Sequence, residues 1–155
     1  MNYLQIFAAF ASSLGLAIVF SVSRHPKFIF MGAIIGAIGW TCYLMFSGMN
    51  IYFRYFLASL VVAFLSEIMA RLNKAPATIF TLVGIFPLVP GGLIYQTMLY
   101  AFEGEVATFL SSFVNTMSIS ISIALAILVS NTFFKVRKMF ICKRRISWYL
   151  VFLIQ

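Results

Sequence analysis

Five long apolar runs separated by short polar turns occupy most of this 155-residue chain. A helix that crosses a bilayer needs about 20 apolar residues. The runs are 3–22, 28–46, 51–70, 77–102 and 106–130, and each is long enough. Backbone groups inside hydrocarbon have no water to bond, so each run must satisfy its own amides as a helix. The expected architecture is therefore an all-α polytopic integral membrane protein of about five transmembrane helices. It forms one domain over residues 1–145, and residues 146–155 follow as a short tail. Charged residues make up 9% of the chain, against about 25% in soluble domains, which excludes a water-soluble globule.

The charges that remain sort by position. Lys and Arg number eleven and Asp and Glu three, an excess that in a soluble protein would suggest a nucleic-acid partner. Here the basic residues sit between apolar runs, which argues against nucleic acid. With five crossings, Arg24 and Lys27, Arg71 and Lys74, and the six residues Lys135, Arg137, Lys138, Lys143, Arg144 and Arg145 fall on one side. The positive-inside rule makes that side cytoplasmic. The amino terminus, the uncharged turn at Asn50 and the acidic pair Glu103 and Glu105 then face outward. No basic residue precedes the first run, so it reads as a true span with a translocated start rather than a secretory signal. Trp148 and Tyr149 suit a tail lying at the interface, and a disordered tail is the alternative.

Catalytic chemistry finds little to work with. The chain has one histidine, His25, two cysteines, Cys42 and Cys142, and no aspartate. Neither a metal cluster nor a hydrolytic carboxylate pair can be assembled from that set, so no enzyme activity and no cofactor are expected. His25 lies beside Pro26 in a turn and reads as a surface residue.

The fourth run departs from a plain span. Pro87, Pro90, Gly91 and Gly92 lie in its middle, at the level of the bilayer midplane. Each proline lacks an amide hydrogen, so the carbonyls of Val83 and Phe86 would lose their partners in a continued helix, while the glycines admit other conformations. Two half-helices are expected. The second would begin near Gly91 and aim the amides of residues 91–94 at the membrane centre, an end that carries partial positive charge and suits an anion. Discontinuous helices of this kind recur at transporter binding sites. A simple proline kink is the structural alternative. One turn beyond the break, Tyr95 and Gln96 are placed to hydrogen-bond a substrate, with packing the other reading for Tyr95. Tyr100 reads as an interface anchor.

Other polar residues sit within the spans. Ser111, Asn115, Ser118 and Ser122 recur at spacings of four, three and four and so share one helical stripe. The stripe either lines a pathway beside the broken helix or packs against a neighbour through interhelical hydrogen bonds. Gly32, Gly36 and Gly39 favour close helix contact. Glu67 is the one carboxylate inside a span, near its inner end. It either pairs with Arg71 at i+4 or couples protons. Arg54, three residues inside the outer edge, is expected to snorkel outward.

The run Lys74-Ala75-Pro76, with Ile79-Phe80 and then Gly84-Ile85-Phe86-Pro87-Leu88-Val89-Pro90-Gly91-Gly92 and Tyr95, resembles the threonine/serine exporter family, in its small split half. The resemblance implies a ten-span transporter divided between two chains, a larger subunit with a cytoplasmic domain and a small one such as this. It implies export of threonine and serine, a small amino-acid substrate, across the cell membrane, driven by the proton gradient. Two five-span halves acquire opposite topologies, the inverted-repeat arrangement in which substrate binds at midplane. The near absence of acidic residues shifts proton coupling toward the partner, with Glu67 the candidate in this half. On this reading the substrate-binding candidates are Pro87, Pro90, Gly91, Gly92, Tyr95, Gln96, Asn115 and Ser118. A dicarboxylate exporter half, a non-transporting subunit that stabilises a partner and a channel-forming homo-oligomer are the alternatives.

Overall fold

Six helices in chain order build the protein in a computed structural model that describes the backbone of residues 3–19 and 26–153 and the side chains of 3–19 and 27–137. They are α1 (Tyr3–Val19), α2 (Pro26–Met45), α3 (Ile51–Leu72), α4 (Ala77–Ile85), α5 (Gly91–Glu103) and α6 (Val106–Leu153). A 3-10 turn, Phe86–Leu88, joins α4 to α5. The fold is all-α, as the apolar runs require, and no strand occurs among the described residues. Among the described residues three helices, α2, α3 and α6, are each long and apolar enough to cross a membrane, and there are four such segments if the bent pair α4 and α5 is one span. Helix α1 has 17 residues, and the expected end of its span at Val22 lies outside the described residues. The expected turn at Arg24 and His25 lies outside them too.

Element ends follow local chemistry. Pro26 opens α2 at the position where a missing amide hydrogen costs nothing. Helix α3 closes on Asn73, whose Nδ2 donates to the Met69 carbonyl at 2.8 Å. Lys74 then takes φ 52°, and the Ala75 amide bonds back to the Ala70 carbonyl at 3.0 Å. That is the left-handed exit of a Schellman-type cap, here without glycine. Gly104, with φ 76°, performs the same reversal after α5 and sends the chain into α6. The last apolar run does not stop at Ser130. No glycine or proline follows Gly104, and α6 continues for 48 residues to Leu153, so the expected separate tail from residue 146 carries on the same helix.

Helix directions come from matched contacts. Tyr52 bonds Asn115 and Arg71 bonds the Phe134 carbonyl, a separation of 63 residues in both cases. A constant offset means that α3 and α6 run parallel. The chain between them must therefore return along the length of α3, and α4 with α5 supplies that return. Helix α2 lies parallel to α4 by the same logic, because Gly32 meets Val83, Gly36 meets Pro87 and Gly39 meets Leu88.

Those contacts show what the glycine stripe does. A Cβ at Gly32 would stand 2.9 Å from Val83 Cγ1, and one at Gly36 would stand 3.3 Å from Pro87 Cγ, besides striking the Ser13 hydroxyl. The stripe is a trough in which α4 and the following turn lie against α2. Val62 of α3 closes it, with one γ-methyl on Gly39 and the other on Gly84. Ile35, Ala58, Val62, Phe80 and Leu88 form the core around this seat. In lipid such close packing supplies helix association, because apolar burial gains nothing over the acyl chains.

Candidate functional site

The break in the fourth apolar segment forms where the prolines predict it. After the 3-10 turn, the Val89 amide returns to the Phe86 carbonyl at 3.2 Å, recovering one of the two carbonyls that the prolines orphan. Val89 is extended, and Pro90 takes φ −76° and ψ 57°. The Gly91 amide then closes a three-residue turn on the Val89 carbonyl at 2.7 Å, an inverse γ-turn about Pro90. The two half-helices meet at 56°.

This geometry revises the expected set of free amides. Gly91 N–H is held by Val89, and Ile94 N–H bonds the Pro90 carbonyl at 3.1 Å as the first helical link. At most the amides of Gly92 and Leu93 remain for a ligand, half the number a bare helix start would present. Pro90 is buried and Pro87 half-buried, whereas Gly91 and Gly92 are exposed and have no atom within 4 Å of where a Cβ would stand. Tyr95, 68% exposed, and Gln96 lie on the same half-helix. Gln96 has no hydrogen-bond partner among the described residues. Among the described residues helix α5 lies mainly along α6, with Leu93 packed against the cluster of Tyr55, Ile119 and Ile123, and Tyr95 and Gln96 stay exposed.

The stripe on α6 divides. Thr97 of α5 and Thr116 of α6 approach with hydroxyls 3.4 Å apart, and in this antiparallel pair Ser118 falls level with Tyr95. Ser118 nevertheless donates back to the Val114 carbonyl at 2.8 Å, and Ser111 and Ser122 likewise bond their own helix. Asn115 turns toward α3, where Tyr52 Oη donates to its Oδ1 at 2.7 Å. Thr97, Thr116 and Tyr52 are polar partners that the spacing of the stripe did not reveal. Hydroxyls on α5 and α3 carry no periodic signal of their own.

Glu67 does not join the break. Its Oε2 lies 3.5 Å from Arg71 Nε, the ion pair that the i, i+4 spacing offered. Arg71 also reaches the Phe134 carbonyl and stands over the Phe134 ring, 4.7 Å from its centroid. Arg54 does not simply snorkel outward. Its Nη2 donates to the Tyr43 carbonyl at 3.2 Å, and its guanidinium covers the Tyr43 ring at 4.3 Å. A cation at the last turn of α2 complements that helix's negative end. No metal-ligating group of His, Cys, Asp or Glu forms among the described residues.

The family model described as "Threonine/Serine exporter, ThrE" matches residues 5–133. No curated protein and no solved structure matches the chain. The matched stretch includes α2 to α5 whole and α6 as far as Phe133, and the chain belongs to the threonine/serine exporter family.

Proposed function

We propose that this chain is one half of a two-part secondary transporter that exports threonine and serine, driven by the proton gradient. The substrate carboxylate sits at the amino end of α5, against the amides of Gly92 and Leu93, with Tyr95 and Gln96 as hydrogen-bonding groups. The observation that carries this reading is the break itself. A 56° bend in an apolar segment leaves a positive helix end and two glycines open in a chain of an exporter family. Irregular backbone at membrane depth is tolerated only where protein or a watery cavity covers it. Gly91, Gly92, Tyr95 and Gln96 are exposed, which supports cover by a second protein, the larger subunit with a cytoplasmic domain.

The parallel course of α3 and α6 supports a full crossing by α4 and α5, and with it five spans. Five crossings and the positive-inside rule put the amino terminus outside and the carboxyl terminus in the cytoplasm. Glu67 is this half's candidate for proton coupling.

The test is efflux of labelled serine and threonine from cells that express both halves. Gly91→Leu with Gly92→Leu adds side chains where the fold has open space, so membrane levels hold while efflux falls. Undiminished efflux from that variant refutes the site.

A further inference from the structure

Away from the break, a cleft of about 560 Å³ opens between the end of α3, the middle of α6 and the start of α4. It falls within the range of about 300–1,000 Å³ typical of small-molecule sites. Glu67 and Arg71 of α3 and Asn131 and Lys135 of α6 line it, with Ala70, Ala75 and Ala77 leaving the space unfilled. Each polar pair is spaced i, i+4, and the parallel course of the two helices sets Glu67 within one residue of the level of Asn131 and Arg71 within one residue of that of Lys135. We propose that this cleft binds a small carboxylate that also carries an ammonium group, and that it is the cytoplasmic loading site for the exported amino acid. The proposal rests on the exporter reading above.

The cleft's polar groups are only partly used. The Glu67 side chain is 19% exposed, and of its two oxygens only Oε2 has a partner among the described residues, Arg71 Nε at 3.5 Å. Arg71 directs two of its five donors at Glu67 and the Phe134 carbonyl, and the Phe134 ring holds the guanidinium plane. Lys135 and Asn131 have no hydrogen-bond or ion-pair partner among the described residues. Two cations against one anion attract a carboxylate. The spare oxygen of Glu67 accepts an ammonium, and the Asn131 amide both donates and accepts, as a hydroxyl side chain requires. An anionic lipid headgroup would meet the Glu67 carboxylate with no ammonium to offset it.

Equilibrium binding of labelled L-serine to the purified full chain in phosphatidylcholine nanodiscs tests the assignment. Serine binding is expected, with affinity about tenfold lower in Lys135→Ala and largely kept in Lys135→Arg. Glu67→Gln should weaken serine and strengthen succinate, because the latter has no ammonium and gains by losing a like charge. Elution of each variant as a monodisperse peak separates lost binding from lost folding. Any of three results overturns the proposal: no serine binding to the unaltered chain, serine affinity in Lys135→Ala and Glu67→Gln equal to that of the unaltered chain, or serine displaced when phosphatidylglycerol replaces phosphatidylcholine. The exporter reading is judged separately by efflux. Efflux that persists while the cleft fails to bind removes only the loading site.

Discussion

Replacing Gly84 by alanine tests the seat that holds the broken helix. A Cβ there would lie 2.8 Å from both Ile35 Cγ2 and Val62 Cγ1. Carbon atoms ordinarily rest about 3.5–4.0 Å apart, so each contact overlaps by at least about 0.7 Å. Neither neighbour has room to yield. Ile35 is 2% exposed and Val62 is fully buried, and the other γ-methyl of Val62 is already seated on Gly39. Overpacking of this kind costs about 1–3 kcal/mol. Unfolding of the purified protein in mixed micelles by increasing denaturing detergent measures it. Val62→Ala removes the overlapping Cγ1 methyl along with Cγ2 and opens a gap of its own, so the paired variant should be more stable than the sum of the single losses predicts. Coupling of about 0.5–3 kcal/mol is expected for side chains in direct contact. Gly84→Ala as stable as the unaltered protein, or strict additivity with Val62→Ala, would show that α4 does not lie in this trough.

Three further outcomes follow from individual contacts. Tyr52→Phe and Asn115→Leu each lose one interhelical hydrogen bond, about 0.6 kcal/mol in membrane proteins, and the double variant should be no worse than either single one in the same unfolding assay. Additive losses would mean that the two residues do not meet. Arg54→Leu removes both the donor to the Tyr43 carbonyl and the cation over its ring, a loss of about 1–2 kcal/mol that Arg54→Lys should only partly incur; equal stability of all three forms contradicts that cap. In a chain lacking Cys42 and Cys142, an impermeant maleimide applied to whole cells should label Asn50→Cys and spare Lys74→Cys, and the reverse pattern inverts the proposed orientation.

What could be read from the residues alone was whatever depends on neighbours along the chain. Long apolar runs became helices because hydrocarbon offers the backbone no other partner. The break fell at Pro87 to Gly92 because a missing amide hydrogen acts within one turn, wherever the helix is placed. The Glu67 and Arg71 pair was legible for the same reason, since i and i+4 share a face on any helix. The glycine stripe announced a close contact but not that its occupant would be the broken helix itself.

Tertiary structure decided everything that needs two helices in register. Asn115 could equally have faced a pathway, and only the parallel docking of α3 and α6 gives it Tyr52. The same docking brings Asn131 and Lys135, which looked like the end of a span, opposite Glu67 and Arg71 to form the inner cleft. The reason is one of range: propensity and spacing act over a few residues, whereas these contacts join positions more than sixty apart, and only the packed shapes of the intervening helices select which faces meet.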